Sequence, residues 1–310
     1  MNMQSNAVPE SAFNSQAFTP AAMPGIRLFY WSLRRELWEY RSIYLAPLAI
    51  AGVILLGFMF VLLPLPHTMR ALSSIDPAEQ RKALAHPYDV AAGLIMGAAF
   101  IVSFFYSIDT LYGERRDRSI LFWKSLPVSD LTAVLAKASI PLVVLPLLAF
   151  AITFVTESIM LLFSSLVLLS SGLSVATLWT KVDLYQTLLM LLYHLVTVHM
   201  LWYAPIYAWL LLVSAWARRT PILWAVFPPL AIGIFEKIAF HSSHFAALVG
   251  DRFSGGAAAV ATMQGDFPIQ PGMHLTPGKF LSSPGLWFGL IVAAIFLTAA
   301  VRLRRYREPI

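Results

Sequence analysis

The sequence contains no cysteine, and only 12% of its 310 residues are charged, against 58% that are hydrophobic. The lack of cysteine excludes disulfide scaffolds, thiolate metal sites and cysteine nucleophiles. A soluble domain carries roughly 25% charged residues, so the scarcity of charge excludes an ordinary soluble globule. The sequence has instead several long uncharged runs, each near the roughly 20 apolar residues that a helix needs to cross a bilayer.

These runs predict an all-α polytopic membrane protein with six transmembrane helices. The predicted spans are residues 43–63, 90–108, one crossing that starts at Ala138, 184–217, 221–235 and 281–301. The stretch 138–180 is long enough for two crossings, so we used the positive-inside rule to decide. One crossing places fifteen basic residues inside and seven outside, whereas two crossings would place the C-terminal arginines outside. We therefore expect six spans, with both termini in the cytoplasm, in the cell (inner) membrane.

The segments beside the spans differ in composition. Residues 1–25 are rich in Asn, Ser, Gln, Ala and Pro, and we expect a disordered cytoplasmic tail. Residues 26–42 predict an amphipathic helix that lies along the bilayer, with Trp31 and Trp38 at the interface. The arginines on another face of this helix are Arg27, Arg34 and Arg41. A basic cytoplasmic tail, 302–310, is expected to follow the transmembrane domain 43–301.

Two parts of the transmembrane domain depart from a simple pattern. The run 184–217 is longer than one span needs, and Pro205 predicts a kink in it. The segment 241–284 before the last span is rich in Gly, Ala, Pro and His and is apolar in places. We expect part of this outer segment to re-enter the membrane.

The densest polar stretch, residues 109–137, lies between the second and third spans. Residues 119–126 predict a short helix under the membrane that Pro127 stops, with Ser129 or Asp130 capping the next helix. An ordinary positive-inside loop is the alternative. However, charges of both signs are mixed with Phe122 and Trp123, which is typical of a protein-binding surface.

This loop resembles the cytoplasmic loop of ABC-2 type permeases, the membrane subunits of ABC transporters. The resemblance rests on the Glu114-Arg115 pair after a span, the turn 126–129, and Lys137 at the opening of the next span. It implies that the loop and the N-terminal helix dock onto a separate ATP-binding subunit, and that a second permease copy or homologue completes a dimer. The residues that we assign to partner coupling are Arg27, Arg34, Arg41, Glu114, Arg115, Arg116, Asp117, Arg118, Trp123 and Pro127.

No catalytic, cofactor-binding or metal site is predicted within the chain itself. The nearest phosphate-loop candidate, residues 272–280, has one residue too many and Phe280 where Ser or Thr must reach magnesium. We expect ATP and Mg to be bound by the partner subunit, and we expect no nucleic-acid partner. His194 and His199 are five residues apart, roughly 140° around an α-helix, so they are not expected to converge on a metal. His241 and His244, three residues apart, lack an obvious third ligand.

Three ionisable residues, Asp109, Lys137 and Glu157, lie at or inside predicted spans, where charge is costly and often functional. Asp109 and Lys137 end and begin consecutive spans, so we expect an ion pair between them. Glu157 follows nineteen uncharged residues. It is predicted either to mark the outer interface or to take part in substrate or proton binding.

The sequence favours the permease half of an ABC transporter that exports an unidentified substrate. An ion-coupled secondary transporter is the main alternative, in which buried carboxylates such as Asp109 and Glu157 would be the coupling sites. A non-transporting membrane scaffold or sensor is a third possibility, since a docking surface alone does not establish a path for a substrate.

Overall fold

The computed structural model describes residues 25–72, 74–126, 128–255 and 277–306, and the secondary structure of this part of the chain is helical. The helices are α1 (Gly25–Glu39), α2 (Ser42–Leu62), α3 (Leu65–Leu72), α4 (Pro77–Arg116), α5 (Ser119–Ser125), α6 (Asp130–Ser139), α7 (Leu145–Ser170), α8 (Ala176–Lys181), α9 (Leu184–His194), α10 (Ala204–Trp216), α11 (Pro221–Phe240), α12 (His244–Phe253), α13 (Pro277–Leu281) and α14 (Pro284–Tyr306). Two π-helical segments, π1 (Ile140–Val144) and π2 (Leu195–Trp202), follow α6 and α9.

Six helical stretches of the described residues are long and apolar enough to cross a membrane, which confirms the predicted fold class. They are Ser42–Leu62, Pro77–Arg116, Asp130–Ser170, Ala176–Trp202, Pro221–Phe240 and Pro284–Tyr306. The third stretch is continuous through α6, π1 and α7, as a single crossing requires. The fourth is interrupted at Tyr203 and continues as α10, with Pro205 in the first turn of α10, close to the predicted kink.

The second span is much longer than the predicted range 90–108. Its helix, α4, has 40 residues and is therefore about 60 Å long. The early start follows from local chemistry, because Pro77 occupies the first turn and the Asp76 carboxylate accepts a hydrogen bond from the Ala78 N–H at 3.1 Å. The polar residues before Val90 are therefore helical rather than part of a loop.

The last helix is longer than the predicted span 281–301. Helix α14 continues to Tyr306, so residues 302–306 belong to the last helix and not to a basic tail. The reason lies in packing, because the side chain of Arg304 is buried. The predicted N-terminal tail up to residue 24 and the last residues, 307–310, lie outside the described residues.

The loop between the second and third spans folds as predicted. Helix α5 ends at Ser125, and the Ser129 hydroxyl caps α6 by accepting a hydrogen bond from the Thr132 N–H at 3.0 Å. Pro127, the predicted helix stop, lies outside the described residues. Helices α5 and α1, the end of α4 and the start of α6 lie together, and we call this the α5 end of the bundle.

The apolar core runs along α2, α4 and α7, and α1 packs against its α5 end. Leu33, Leu37 and Tyr40 contact a buried cluster that includes Ile43 and Ile95. Ile26 and Tyr30, which the sequence places on the same apolar face, are instead mostly exposed at the start of α1. The second half of α1 therefore attaches this helix to the spans.

At the opposite end, the predicted outer segment contains α12, and one buried arginine attaches it to the bundle. The Arg252 guanidinium lies 4.1 Å from the Trp202 ring centroid and donates hydrogen bonds to the carbonyl oxygens of Trp202 and Gly285. Helix α12 thus packs against π2 and α14. Residues 256–276 of the predicted segment lie outside the described residues.

We predict that Gly289→Ala destabilises the protein by about 1–3 kcal/mol, because the buried Arg252 guanidinium must shift and leave its carbonyl acceptors. A Cβ at Gly289 would overlap the guanidinium of Arg252, which must then leave the Trp202 ring. Gly97→Ala is the matched control, because a Cβ at Gly97 meets no atom within 4 Å. Thermal unfolding in detergent checks this. Equal stability of the two variants would contradict the proposed role of Arg252.

Candidate partner-coupling site

Six charged side chains meet at the α5 end, where four separate segments converge. We call this group the charge cluster: Arg35 and Glu36 from α1, Glu114 from α4, Asp130 and Lys137 from α6, and Arg304 from α14. It contains three cations and three anions, so its formal charges balance. Glu36, Glu114, Lys137 and Arg304 are all buried.

Lys137 lies at the centre of the cluster and is completely buried. Its Nζ donates to both carboxylate oxygens of Glu36, at 2.9 and 3.0 Å, and to the hydroxyl of Thr110 at 2.8 Å. The same Nζ lies 3.2 Å from Glu114 Oε1. One ammonium group therefore joins α1, α4 and α6.

Glu36 is the most thoroughly bonded carboxylate of the cluster. In addition to Lys137, it accepts hydrogen bonds from the hydroxyls of Tyr106, at 2.8 Å, and Thr110, at 3.2 Å, and it pairs with Arg35. Burial raises the pKa of Glu36, but the charges of Lys137 and Arg35 outweigh this and lower the pKa to about 2. Glu36 is therefore ionised throughout the neutral range.

Glu114 extends the cluster to the last helix. Its Oε1 lies 2.9 Å from Arg35 Nη2, and its Oε2 lies 3.2 Å from Arg304 Nη2. Arg304 also binds Asp130 Oδ1 at 2.6 Å. The beginning of the third span and the end of the sixth are therefore fixed to the end of the second by charge-assisted hydrogen bonds.

Helix α5 covers the cluster and presents an apolar surface outward. The Arg35 guanidinium lies 4.0 Å from the ring centroid of Trp123, and Ile120 is buried beneath the helix. On the outer face, Leu121 and Phe122 are 58% and 61% exposed. Helix α5 therefore has one side in contact with the cluster and one exposed, apolar side.

The residues that the sequence predicts for partner coupling differ in how far they are buried. Glu114 and Arg115 are buried, whereas Arg116, Asp117 and Arg118 are exposed next to α5. The Arg115 guanidinium donates to the Ser214 carbonyl oxygen at 2.9 Å and so ties the end of α4 to α10. Trp123 is half-buried, and Pro127 lies outside the described residues.

The arginine side chains of α1 also point in different directions. Arg35 points toward the cluster, whereas Arg27 and Arg41 are exposed and Arg34 lies between two indoles. The Arg34 guanidinium is 5.1 Å from the Trp31 ring centroid and 4.6 Å from that of Trp38. This stacking gives α1 an outer face of alternating arginine and tryptophan, as an interfacial helix requires.

The predicted ion pair between Asp109 and Lys137 is wrong. Lys137 pairs with Glu36 and Glu114 instead, because the second half of α1 packs over α6 and brings Glu36 to the ammonium group. Asp109 is half-buried one turn before Gly113, near the hydroxyl of Tyr40. Glu36 was not predicted as a site residue, although a glutamate between the apolar positions Leu33 and Tyr40 is the signal that could have identified it.

The expectation that His194 and His199 diverge is also wrong. Their ring centroids are 5.5 Å apart, because the chain from Leu195 to Trp202 is π-helical and residues five apart then lie one above the other. Within the described part of the chain, no group of three or more His, Asp or Glu side chains is arranged to hold a metal ion.

The chain matches no protein-family model, no curated protein and no solved structure.

We predict that Lys137→Met destabilises the protein by about 3–5 kcal/mol, because it leaves Glu36 and Glu114 buried without their shared cation. Arg116→Gln is the control, since it breaks an exposed ion pair with Asp117 that contributes about 0–1 kcal/mol. Chemical unfolding in detergent measures both changes. If the two variants were equally stable, the cluster would not hold the α5 end together.

The low pKa of Glu36 predicts how its contribution depends on pH. The folded pKa, about 2, is below the ordinary value of 4.5, so the stabilisation is complete above pH 4.5 and is lost as the pH falls toward 2. The difference in unfolding free energy between wild type and Glu36→Gln should therefore shrink over this range. A constant difference would show that the ionised form of Glu36 is not what stabilises the fold.

Proposed function

We propose that this chain is the membrane-spanning subunit of an ABC transporter, moving its substrate when a separate ATP-binding subunit drives it. The proposal includes export as the direction of transport and a second permease copy or homologue as the partner within the membrane. ATP and Mg would be bound by the ATP-binding subunit. The resemblance of the loop 109–137 to that of ABC-2 type permeases supports this assignment.

One observation carries the proposal: the exposed surface of α5 lies directly above a buried charge cluster that connects four segments. A protein that binds Leu121 and Phe122 would press on Trp123, which contacts Arg35 through its ring. Arg35 in turn bonds Glu36 and Glu114. Displacement of α5 therefore acts on the second, third and sixth spans together.

In this proposal the predicted coupling residues have two roles. Arg116, Asp117 and Arg118, with the outer face of α5, form the docking surface, because they are exposed. Glu114 and Arg115 are buried, so they fix the loop to the spans rather than contact a partner. Docking and transmission are thus carried out by neighbouring but separate residues.

The proposed orientation places the α5 end in the cytoplasm of a cell whose inner membrane holds the spans. The basic residues gathered at this end support it, because the cytoplasmic side of a membrane protein carries the excess of Lys and Arg. They come from α1, from the loop around α5, and from the end of α14. Both termini would then be cytoplasmic.

Single cysteines introduced into this cysteine-free chain test the orientation. We expect Arg118→Cys to be protected from an impermeant thiol reagent in intact cells and to react after the cells are opened. Leu248→Cys, half-exposed on α12 at the opposite end, should react in intact cells. The reverse pattern would contradict the proposed orientation.

A second experiment tests the docking surface. We expect the tagged chain to co-purify from its native membranes with a phosphate-loop ATPase, and Phe122→Ala to weaken this complex by about 2 kcal/mol, as loss of an aromatic anchor does. Phe60→Ala is the control, because Phe60 is similarly exposed, but on a membrane span. An ATPase that binds both variants equally would exclude α5 as the docking site, and the lack of any ATPase would contradict the proposed function.

An ion-coupled secondary transporter remains the second candidate, and one observation favours it. Glu157 is buried inside the bundle near a second carboxyl group, Asp89. Asp109, the other carboxylate considered for ion coupling, lies at the α5 end beside Tyr40 and so is far from Glu157. A transport activity that follows an ion gradient and needs no ATPase would favour this candidate.

A further inference from the structure

Two acidic side chains lie inside the bundle, away from the charge cluster. Glu157 of α7 is 0% exposed and Asp89 of α4 is 5% exposed. Neither oxygen of Glu157 has a hydrogen-bond partner among the described residues, and Asp89 Oδ2 also lacks one. Leaving buried carboxylates unpaired is costly, so these groups need an explanation that the charge cluster does not supply.

The two carboxyl groups lie on stretches of α4 and α7 that pack against each other. Tyr88 of α4 and Ser164 of α7 form a buried hydrogen bond at 3.1 Å. Asp89 follows Tyr88 directly, and Glu157 lies two turns before Ser164 on the same side of α7. Glu157 interacts electrostatically with both Tyr88 and Asp89.

A third polar group without a partner lies on the same face of α7. The hydroxyl of Thr153 is completely buried, four residues and thus one turn before Glu157, and it has no hydrogen-bond partner among the described residues. Thr153 can both accept and donate a hydrogen bond. It therefore adds an uncharged hydroxyl group beside the carboxyl groups.

We propose that Glu157 and Asp89 form a proton-binding site between α4 and α7, with the hydroxyl of Thr153 beside it. A proton is the ligand that fits best, because it needs no space beyond the buried carboxyl groups themselves. Protonation neutralises a carboxylate and so removes the cost of its burial. This site does not depend on the proposed function, since it requires no partner subunit.

The surroundings of the site define how a proton would enter and leave. About 30 Å of helix separates Glu157 from Lys137, so the site lies toward the end of the bundle opposite α5. An apolar layer that includes Phe58, Leu84 and Leu168 packs around Tyr88 toward that end. Local separation of α4 and α7 would therefore have to accompany proton release, and the charge left behind would favour the open state.

The other titratable groups near the site are few. Tyr88 is the nearest on α4, and α2 has only Tyr44, which lies at the far end of that helix. His67 and Arg70 of α3 are exposed. His194 and His199 lie on α9 and π2, stacked against each other.

A hydrophobic carbodiimide, which modifies protonated carboxyl groups from the apolar phase, tests the site in the full chain reconstituted in lipid nanodiscs. Peptide mapping by mass spectrometry should find Glu157 modified at neutral pH and progressively less modified in alkaline buffer. Asp89→Asn should shift the pH of half-maximal labelling. The control Glu79→Gln should leave it unchanged, because Glu79 is exposed at the start of α4.

Infrared spectroscopy gives a second measurement that needs no reagent to reach the site. The wild type should show the carbonyl band of a protonated carboxyl group, and Glu157→Gln should lose it. Modification that is independent of pH, or the lack of both labelling and the infrared band, would overturn the proposal. Protection of Glu157 by sodium, with choline as the comparison cation, would also overturn it, since a metal cation would then be the ligand.

Discussion

The structure depends on one buried cation, the ammonium group of Lys137, held between the carboxylates of Glu36 and Glu114. A lysine without exposure to water is tolerated only where anions and hydroxyls replace its hydration. Glu36 and Glu114 are buried anions, and each would lose one of its partner cations without Lys137, keeping only Arg35 or, for Glu114, Arg35 and Arg304. The three side chains thus require one another, and so do the helices that carry them.

This set of contacts attaches an interfacial helix and a loop to the transmembrane bundle. Helix α1 contributes Glu36, which pairs with Lys137 of α6, and helix α5 contacts Arg35 through Trp123. Isolated surface ion pairs would hold the helices together only weakly, because each contributes about 0–1 kcal/mol to stability and is screened by salt. The cluster differs because it is buried and its members share partners.

Much of the fold could be predicted from the sequence because hydrophobic length and helix capping are local properties. The uncharged runs indicate six spans, and the pair Ser129 and Asp130 indicates the start of α6, where Ser129 is the residue that caps the helix. The predicted range for the second span is shorter than α4 because the first turns of α4 are polar. A hydrophobic run shows where a helix can cross the membrane, but it does not show whether the polar residues before it are also helical. Residues 302–306 follow the last hydrophobic run and are mostly basic, so their polarity also hides that they continue the helix.

The site was harder to predict because it depends on which helices meet. Asp109 and Lys137 are close in the linear order of the spans, which suggested an ion pair, but the packing of α1 across α6 supplied Glu36 instead. His194 and His199 came together because of the π-helical segment between them, and a helical wheel of 3.6 residues per turn cannot show this. Asp89 lies one residue before the predicted second span, 90–108, but it belongs to α4 and is buried in the bundle.

A double-mutant cycle on Glu36 and Lys137 tests the central claim most directly. The unfolding free energies of wild type, Glu36→Gln, Lys137→Met and the double variant are measured in one detergent under one set of conditions. If the two groups require each other, the double variant is more stable than the sum of the single losses predicts, with a coupling energy of about 1–3 kcal/mol. Additive losses would contradict the account, because they would show that Glu36 and Lys137 stabilise the α5 end independently.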